Sequence, residues 1–78
     1  MHYVYILRLC DKSLYIGYSS DLKSRIKTHN AGSVSSTKNF RPLNLIYYSG
    51  FISKKKAKDF EQYLKTGSGF AFRNKHLV

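Results

Sequence analysis

The chain predicts an α+β fold, a small three-stranded sheet flanked by helices in the order ββαβαα. Three observations point to it. Aromatic and β-branched residues crowd two runs near the N-terminus, Tyr3 to Leu9 and Ser13 to Tyr18. Apolar residues return at helical spacing after Asp21 and again after Ser53. Between those helical stretches lies a third strand-like run, Leu43 to Gly50.

The first two runs are separated only by Cys10-Asp11-Lys12 and read as a β-hairpin. From Asp21, Leu22 and Ile26 form one stripe and Lys23 and Lys27 another, with Ser20 or Asp21 as the cap and Gly32 as the stop, predicting a helix over residues 21–31. Ser33 to Pro42 holds Ser, Thr, Lys, Asn, Arg and the only proline, and so reads as a basic, hydroxyl-rich loop suited to a surface that meets phosphates. Leu45-Ile46-Tyr47-Tyr48 forms the centre of the third strand. Ser53 caps a second helix running to Lys65, with Gly67 as its terminator and Ala57, Phe60 and Leu64 on its buried stripe. The tail from Ser68 to Val78, with Phe70, Phe72 and Leu77, reads as a short helix or irregular cover over the core.

At 78 residues there is room for one domain, residues 1–78, at the size where a single hydrophobic core is just sufficient. One cysteine cannot form an intramolecular disulfide; Cys10 reads as a small half-buried residue in a protein of a reducing, cytoplasmic compartment. The apolar opening has no basic n-region and soon meets Arg8, Asp11 and Lys12, so it is neither a signal peptide nor a membrane span. Fourteen Lys or Arg against four acids give a formal charge of +10, which predicts a polyanionic partner. Nucleic acid is favoured over an acidic membrane because no basic helix presents an exposed apolar face.

Glu61 is the only glutamate, and helical geometry sets it one turn from Ala57 and Leu64, beside the apolar stripe. A partly buried carboxylate needs a cation, either a basic side chain or a divalent metal. Arg25 and His29 stand i, i+4 on the first helix and emerge from one face, where they can converge on a phosphate. Taken alone, such a pair is more often a solvated face. Most of the seven tyrosines must be core, but a phenol can serve as a base once cations or a metal favour its ionised form.

Taken together, Tyr3-Val4-Tyr5, Tyr15-Ile16-Gly17, Arg25, His29 and Glu61 resemble, in order and spacing, the small stand-alone domains of the GIY-YIG nucleases. The likeness extends through Ser36-Thr37-Lys38, Pro42, Leu45 to Tyr48, Ala57 and Leu64-Lys65-Thr66-Gly67. It implies a metal-dependent DNA endonuclease that hydrolyses phosphodiesters with one ion. In that scheme Tyr5 or Tyr15 helps to deprotonate water, Arg25 and His29 hold the scissile phosphate, and Glu61 binds Mg2+ or Mn2+. Gly17 would allow a close approach of chain or substrate. Lys23, Lys38, Arg41 and the Lys54-Lys55-Lys56 run are the candidate nucleic-acid contacts.

Three departures stand out. Tyr3 occupies the place of the glycine in the family name, and Tyr18 replaces a lysine carried by some relatives, which makes it a further candidate for the site. Asn74 is the candidate for a late asparagine of larger relatives. The implied partner is DNA, branched or damaged as in DNA repair; whether RNA is also accepted, and whether a second protein supplies targeting, the sequence leaves open. The main alternative is a nucleic-acid-binding module with the nuclease fold and little or no activity alone. An adaptor for an acidic protein fits the charge but leaves the Tyr, Arg, His and Glu set unexplained.

The implied chemistry requires Tyr5 and Tyr15 on one face of the hairpin. A three-residue loop at Cys10-Asp11-Lys12 sets Leu9 opposite Ser13, Leu7 opposite Tyr15 and Tyr5 opposite Gly17, which puts both phenols on one side. A two-residue turn at Asp11-Lys12 would separate them unless a bulge restored the phase. The expectation is therefore an odd loop or a bulge.

Overall fold

The computed structural model describes residues 1–66. Its elements are β1 (His2–Arg8), β2 (Leu14–Ser19), α1 (Leu22–Asn30), a short 3-10 turn (Lys38–Phe40), β3 (Asn44–Phe51) and α2 (Lys54–Leu64). The sheet is antiparallel throughout, in the order β2-β1-β3. The α+β class is as the sequence predicts. Gly67, the tail from Ser68 and Asn74 lie outside the described residues.

β1 is the central strand, and its run Val4-Tyr5-Ile6-Leu7 is buried on both faces. That explains why the run is continuously apolar instead of alternating. On one face Val4, Ile6 and Ile16 pack with Ala57 and Leu64 of α2. On the other, Tyr5, Leu7 and Leu9 pack with Tyr15 and with Leu22 and Ile26 of α1. Side chains of this kind contribute about 1.5–3 kcal/mol each when fully buried, so the two-sided strand is the main source of cohesion.

The hairpin closes through a three-residue loop. Leu9 N–H donates to Ser13 O at 2.9 Å and Lys12 N–H to Leu9 O at 3.0 Å, and Lys12 takes the left-handed conformation with φ 70°. This is a type I turn followed by a left-handed residue, a geometry that holds an odd count without strain on the strands. The pairing that results sets Leu7 opposite Tyr15 and Tyr5 opposite Gly17. Cys10, expected to be half-buried, is exposed, because it sits in this turn and not in a strand.

On the far side of β1 the register slips by one residue: Ile6 pairs with Tyr47 but Leu7 with Leu45. Ile46 is the extra residue of the bulge, and it and Tyr47 both turn to the α2 core. Asp21, not Ser20, caps α1, its carboxylate accepting from Ser24 N–H at 3.1 Å. Ser53 caps α2 through Lys56 N–H at 3.3 Å. The loop after α1 is less free than its composition suggests. Cys10 N–H donates to Phe40 O at 2.9 Å, and Thr37 is fully buried.

Gly17 is where the site begins. A Cβ there would collide with Cζ and Oη of Tyr5, whose ring lies across the glycine. Since Tyr5 is itself fully buried and cannot swing away, Gly17→Ala is expected to cost about 1–3 kcal/mol, measured by urea unfolding, and to shift the Tyr5 ring resonances in an NMR spectrum.

Candidate active site

The register of the hairpin brings three rings together. Tyr5 from β1 and Tyr15 from β2 lie diagonally on one face, their ring centres 6.4 Å apart. His29 from the last turn of α1 stands edge-on to both, at 5.7 Å from Tyr5 and 5.1 Å from Tyr15. Tyr5 Oη lies 2.9 Å from His29 Nε2, and His29 Nδ1 lies 2.9 Å from Thr37 Oγ1. Thr37 Oγ1 in turn donates to Val34 O at 3.4 Å.

A hydroxyl has one proton to give, which orders this chain. With the Thr37 proton on Val34 O, Thr37 Oγ1 must accept from His29 Nδ1–H, leaving Nε2 bare to accept from Tyr5 Oη–H. His29 is then neutral with its proton on Nδ1. Burial and the nearby Arg25 charge both push the imidazole below its ordinary value of 6.5, in keeping with that form. Tyr5 is pushed well above the usual phenol range, chiefly by burial and then by Tyr15; Arg25 opposes the rise and Glu61 adds to it. Arg25 lowers the Tyr5 phenol, as expected of a neighbouring cation, but desolvation by burial outweighs it.

His29 also differs from its expected role as a phosphate clamp. It is 1% exposed, and its ring nitrogens are bonded to Tyr5 and Thr37, so in this arrangement neither is free for an anion. Arg25, one turn earlier on α1, is exposed and remains the group able to meet an anion. Glu61 approaches from α2, near enough for its charge to act on Tyr5. Its carboxylate is buried beside Lys65 Nζ, 3.2 Å from Oε2, and Lys58 Nζ, 3.4 Å from Oε1. Oε1 nevertheless makes no hydrogen bond. Lys58 also sits over the Tyr18 ring at 4.6 Å, and Tyr18 Oη bonds His2 Nδ1 at 2.8 Å. Tyr18 belongs to the α2 face of β2, away from Tyr15, because adjacent strand residues of this parity point to opposite sides.

The basic candidates fall in separate places. Arg41 is tied down, Nε to Lys38 O at 3.0 Å and a terminal nitrogen to Asn30 O at 3.3 Å, and so clasps the C-terminal end of α1. Lys38 is exposed in the 3-10 turn. Lys54, Lys55 and Lys56 are exposed on the first turn of α2, with Lys55 paired to Asp59 at 3.0 Å. Lys23 borders a groove beside α1. Thr37 was not among the candidates drawn from sequence as an orienting residue, since nothing local connects it with a histidine eight positions away. Lys58 and Lys65, at i−3 and i+4 from Glu61, are legible from helical spacing alone.

The profile of the GIY-YIG catalytic domain matches residues 1–75. The chain belongs to the GIY-YIG family. Two similar relatives are a UPF0213 protein of Streptococcus pyogenes serotype M5 (strain Manfredo) and one of Staphylococcus haemolyticus (strain JCSC1435). The first is 45% identical over 64 residues, covering 81% of this chain and 70% of the relative. The second is 47% identical over 68 residues, covering 86% and 83%. The solution NMR structure of UPF0213 protein BH0048 from Bacillus halodurans superimposes with a TM-score of 0.61 at 34% identity, covering 95% of this chain and 82% of that one. Among the described residues no helix is long and apolar enough to cross a membrane.

Within this GIY-YIG site, the bond between Thr37 and His29 makes two expectations. Thr37→Val leaves buried Nδ1–H unpaired and should lower stability by about 1–3 kcal/mol in urea unfolding, with Thr37→Ser restoring most of it. In an NMR titration His29 should gain its proton below 6.5. Because the folded value is depressed, the stability tied to neutral His29 is complete above pH 6.5 and is lost as pH falls through the lower folded value.

Proposed function

We propose that the protein is a metal-dependent DNA endonuclease that hydrolyses phosphodiester bonds with one divalent ion, Mg2+ or Mn2+. The observation that carries this reading is the hydrogen bond of Tyr5 Oη to His29 beside the Tyr15 ring, with Arg25 and Glu61 near enough for their charges to act on Tyr5, in a chain of net charge +10. Membership of a nuclease family supports it.

The Glu61 carboxylate fits a hard cation. Its Oε1 is buried and without a hydrogen bond, and the flanking Lys58 and Lys65 side chains, 50% and 46% exposed, can turn to water and yield their place. No cluster of three His, Cys, Asp or Glu exists among the described residues, and a single carboxylate suits Mg2+, which keeps most of its coordination for water and phosphate oxygen. When bound, the ion would stabilise the charge that develops on the leaving oxygen.

The chain's own residues move the proton. Arg25 holds the phosphate through its planar fork. Substrate binding must admit the attacking water to the buried Oη of Tyr5, which then takes a proton from it while passing its own to His29 Nε2, so the phenol ends neutral and the imidazole ends charged, with Nδ1–H still held by Thr37. This sequence avoids a buried phenolate, which the surroundings of Tyr5 disfavour. A phosphate on Arg25 offsets the positive charge that depresses His29 and so raises its basicity when substrate is present. We assign Tyr15, half-buried beside both rings, to holding the water in line.

A second reading rests on one observation. Glu61 already has two lysines beside it, which is how a binding module with the nuclease fold and no activity would neutralise that carboxylate. Incubation with supercoiled, branched and single-stranded DNA plus Mg2+ or Mn2+ separates the two. Glu61→Gln should reduce cleavage to background with its circular dichroism unchanged, whereas undiminished cleavage by the folded variant would exclude the proposed metal ligand. Arg25→Ala should lower the cleavage rate by a factor on the order of 10² to 10³. With EDTA present, affinity for DNA should fall steeply with salt, and replacing Lys54, Lys55 and Lys56 by alanine should flatten that slope.

A further inference from the structure

The phenol site lies along one side of α1; the other side borders a groove that none of the steps above uses. It runs between α1 and the β1–β3 half of the sheet, encloses about 590 Å³, and has Tyr3, Leu22, Ile26, Leu45 and Tyr48 in its lining. That volume falls within the range of about 300–1,000 Å³ usual for small-ligand sites. Tyr48 is 57% exposed and Leu45 39% exposed, so the slot presents aromatic and aliphatic surface directly to solvent. The Tyr3 and Tyr48 rings meet edge to face at 6.4 Å and an angle of 62°, which props Tyr48 against its strand neighbour.

Two further features say what the slot takes. Lys23 and Lys27, i, i+4 on α1, stand along its rim, while the one acid there, Asp21, is committed to capping the helix. Tyr48 pairs directly with Tyr5 across β1 and β3, so the aromatic wall of the groove is one strand away from the phenol. A flat apolar slot rimmed by lysines matches the two halves of a nucleotide: a π-faced base for stacking and phosphates for the cations. An apolar anchor of a protein partner would fill the slot too, but a chain of charge +10 with lysines at the rim is complementary to a polyanion. Bases within a duplex have both faces covered by their neighbours, so only an unpaired base can enter.

We propose that this groove binds an unpaired nucleobase, with Tyr48 as the stacking platform and Lys23 and Lys27 on the flanking phosphates. The strand then crosses α1 to present a phosphate to Arg25, a step that rests on the nuclease reading of the phenol site.

The test is fluorescence anisotropy in EDTA, with a labelled single-stranded oligonucleotide of mixed sequence and a blunt duplex of the same length. Tyr48→Ala should weaken binding of the single strand about tenfold and of the duplex by less than about twofold, while Tyr48→Phe should retain the single-strand affinity. Tyr48 is exposed, and circular dichroism checks that both variants fold. Equal losses on the two DNAs, or no loss on the single strand, would overturn the base site. Neither metal nor cleavage enters this measurement, so its failure is separable from failure of the nuclease reading. A selective loss in Tyr48→Ala together with undiminished cleavage by Glu61→Gln would remove only the catalytic assignment.

Discussion

The passage of the Tyr5 ring across Gly17 is the constraint on which the candidate site depends. Tyr5 sits on a strand buried on both faces, so its ring has one open course, sideways over the neighbouring strand, and a side chain at Gly17 would close it. The crossing carries the hydroxyl to His29 on α1, where it finds the hydrogen bond that a buried phenol requires. Register makes this work. A slip of one residue between β1 and β2 would turn Tyr15 to the α2 side and place Ile16 or Tyr18 opposite Tyr5. The left-handed Lys12 in the hairpin turn is what holds the odd count.

Burial and charge divide the chemistry among the residues. The rings of Tyr5 and His29 are removed from water, which favours the neutral forms of both and sets up proton transfer along an existing hydrogen bond. Arg25 remains exposed and keeps its charge for an anion. The two faces of the sheet have different duties. The α1 face holds the Tyr5, Tyr15 and His29 rings, the α2 face holds the cluster of Val4, Ile6, Ile16, Ala57 and Leu64, and the charge of Glu61 on α2 acts on Tyr5.

The surplus of positive charge is spread over several elements. Lys54, Lys55 and Lys56 occupy the first turn of α2, where they oppose the helix dipole by about 0.3–1 kcal/mol each. A phosphate backbone against that turn would relieve both this conflict and the self-repulsion of the whole chain. Arg41 shows that a basic residue of the same loop can serve architecture instead. Its guanidinium lies against Gly32 and donates to Asn30 O, at the end of α1 where a cation is favoured.

Strands, helices and their caps were legible in the sequence because each depends on short-range patterning: the crowding of aromatic and branched residues in Ser13 to Tyr18, the stripe of Leu22 and Ile26, and Ser53 before Lys56. The hairpin register was legible only as an odd loop or a bulge, inferred from the need to set Tyr5 and Tyr15 on one face; the structure has the three-residue loop. The grouping of Tyr5, Tyr15, Arg25, His29 and Glu61 came from their order and spacing, which mark a family more clearly than they mark geometry. Only the tertiary structure decided what each of them does in its place. It put Thr37 behind His29, bonded His29 to Tyr5, buried the phenol so that desolvation outweighs Arg25, and set Lys58 and Lys65 beside Glu61. Those outcomes depend on how much water each group loses and which distant residue replaces it, and neither quantity is a property of local sequence.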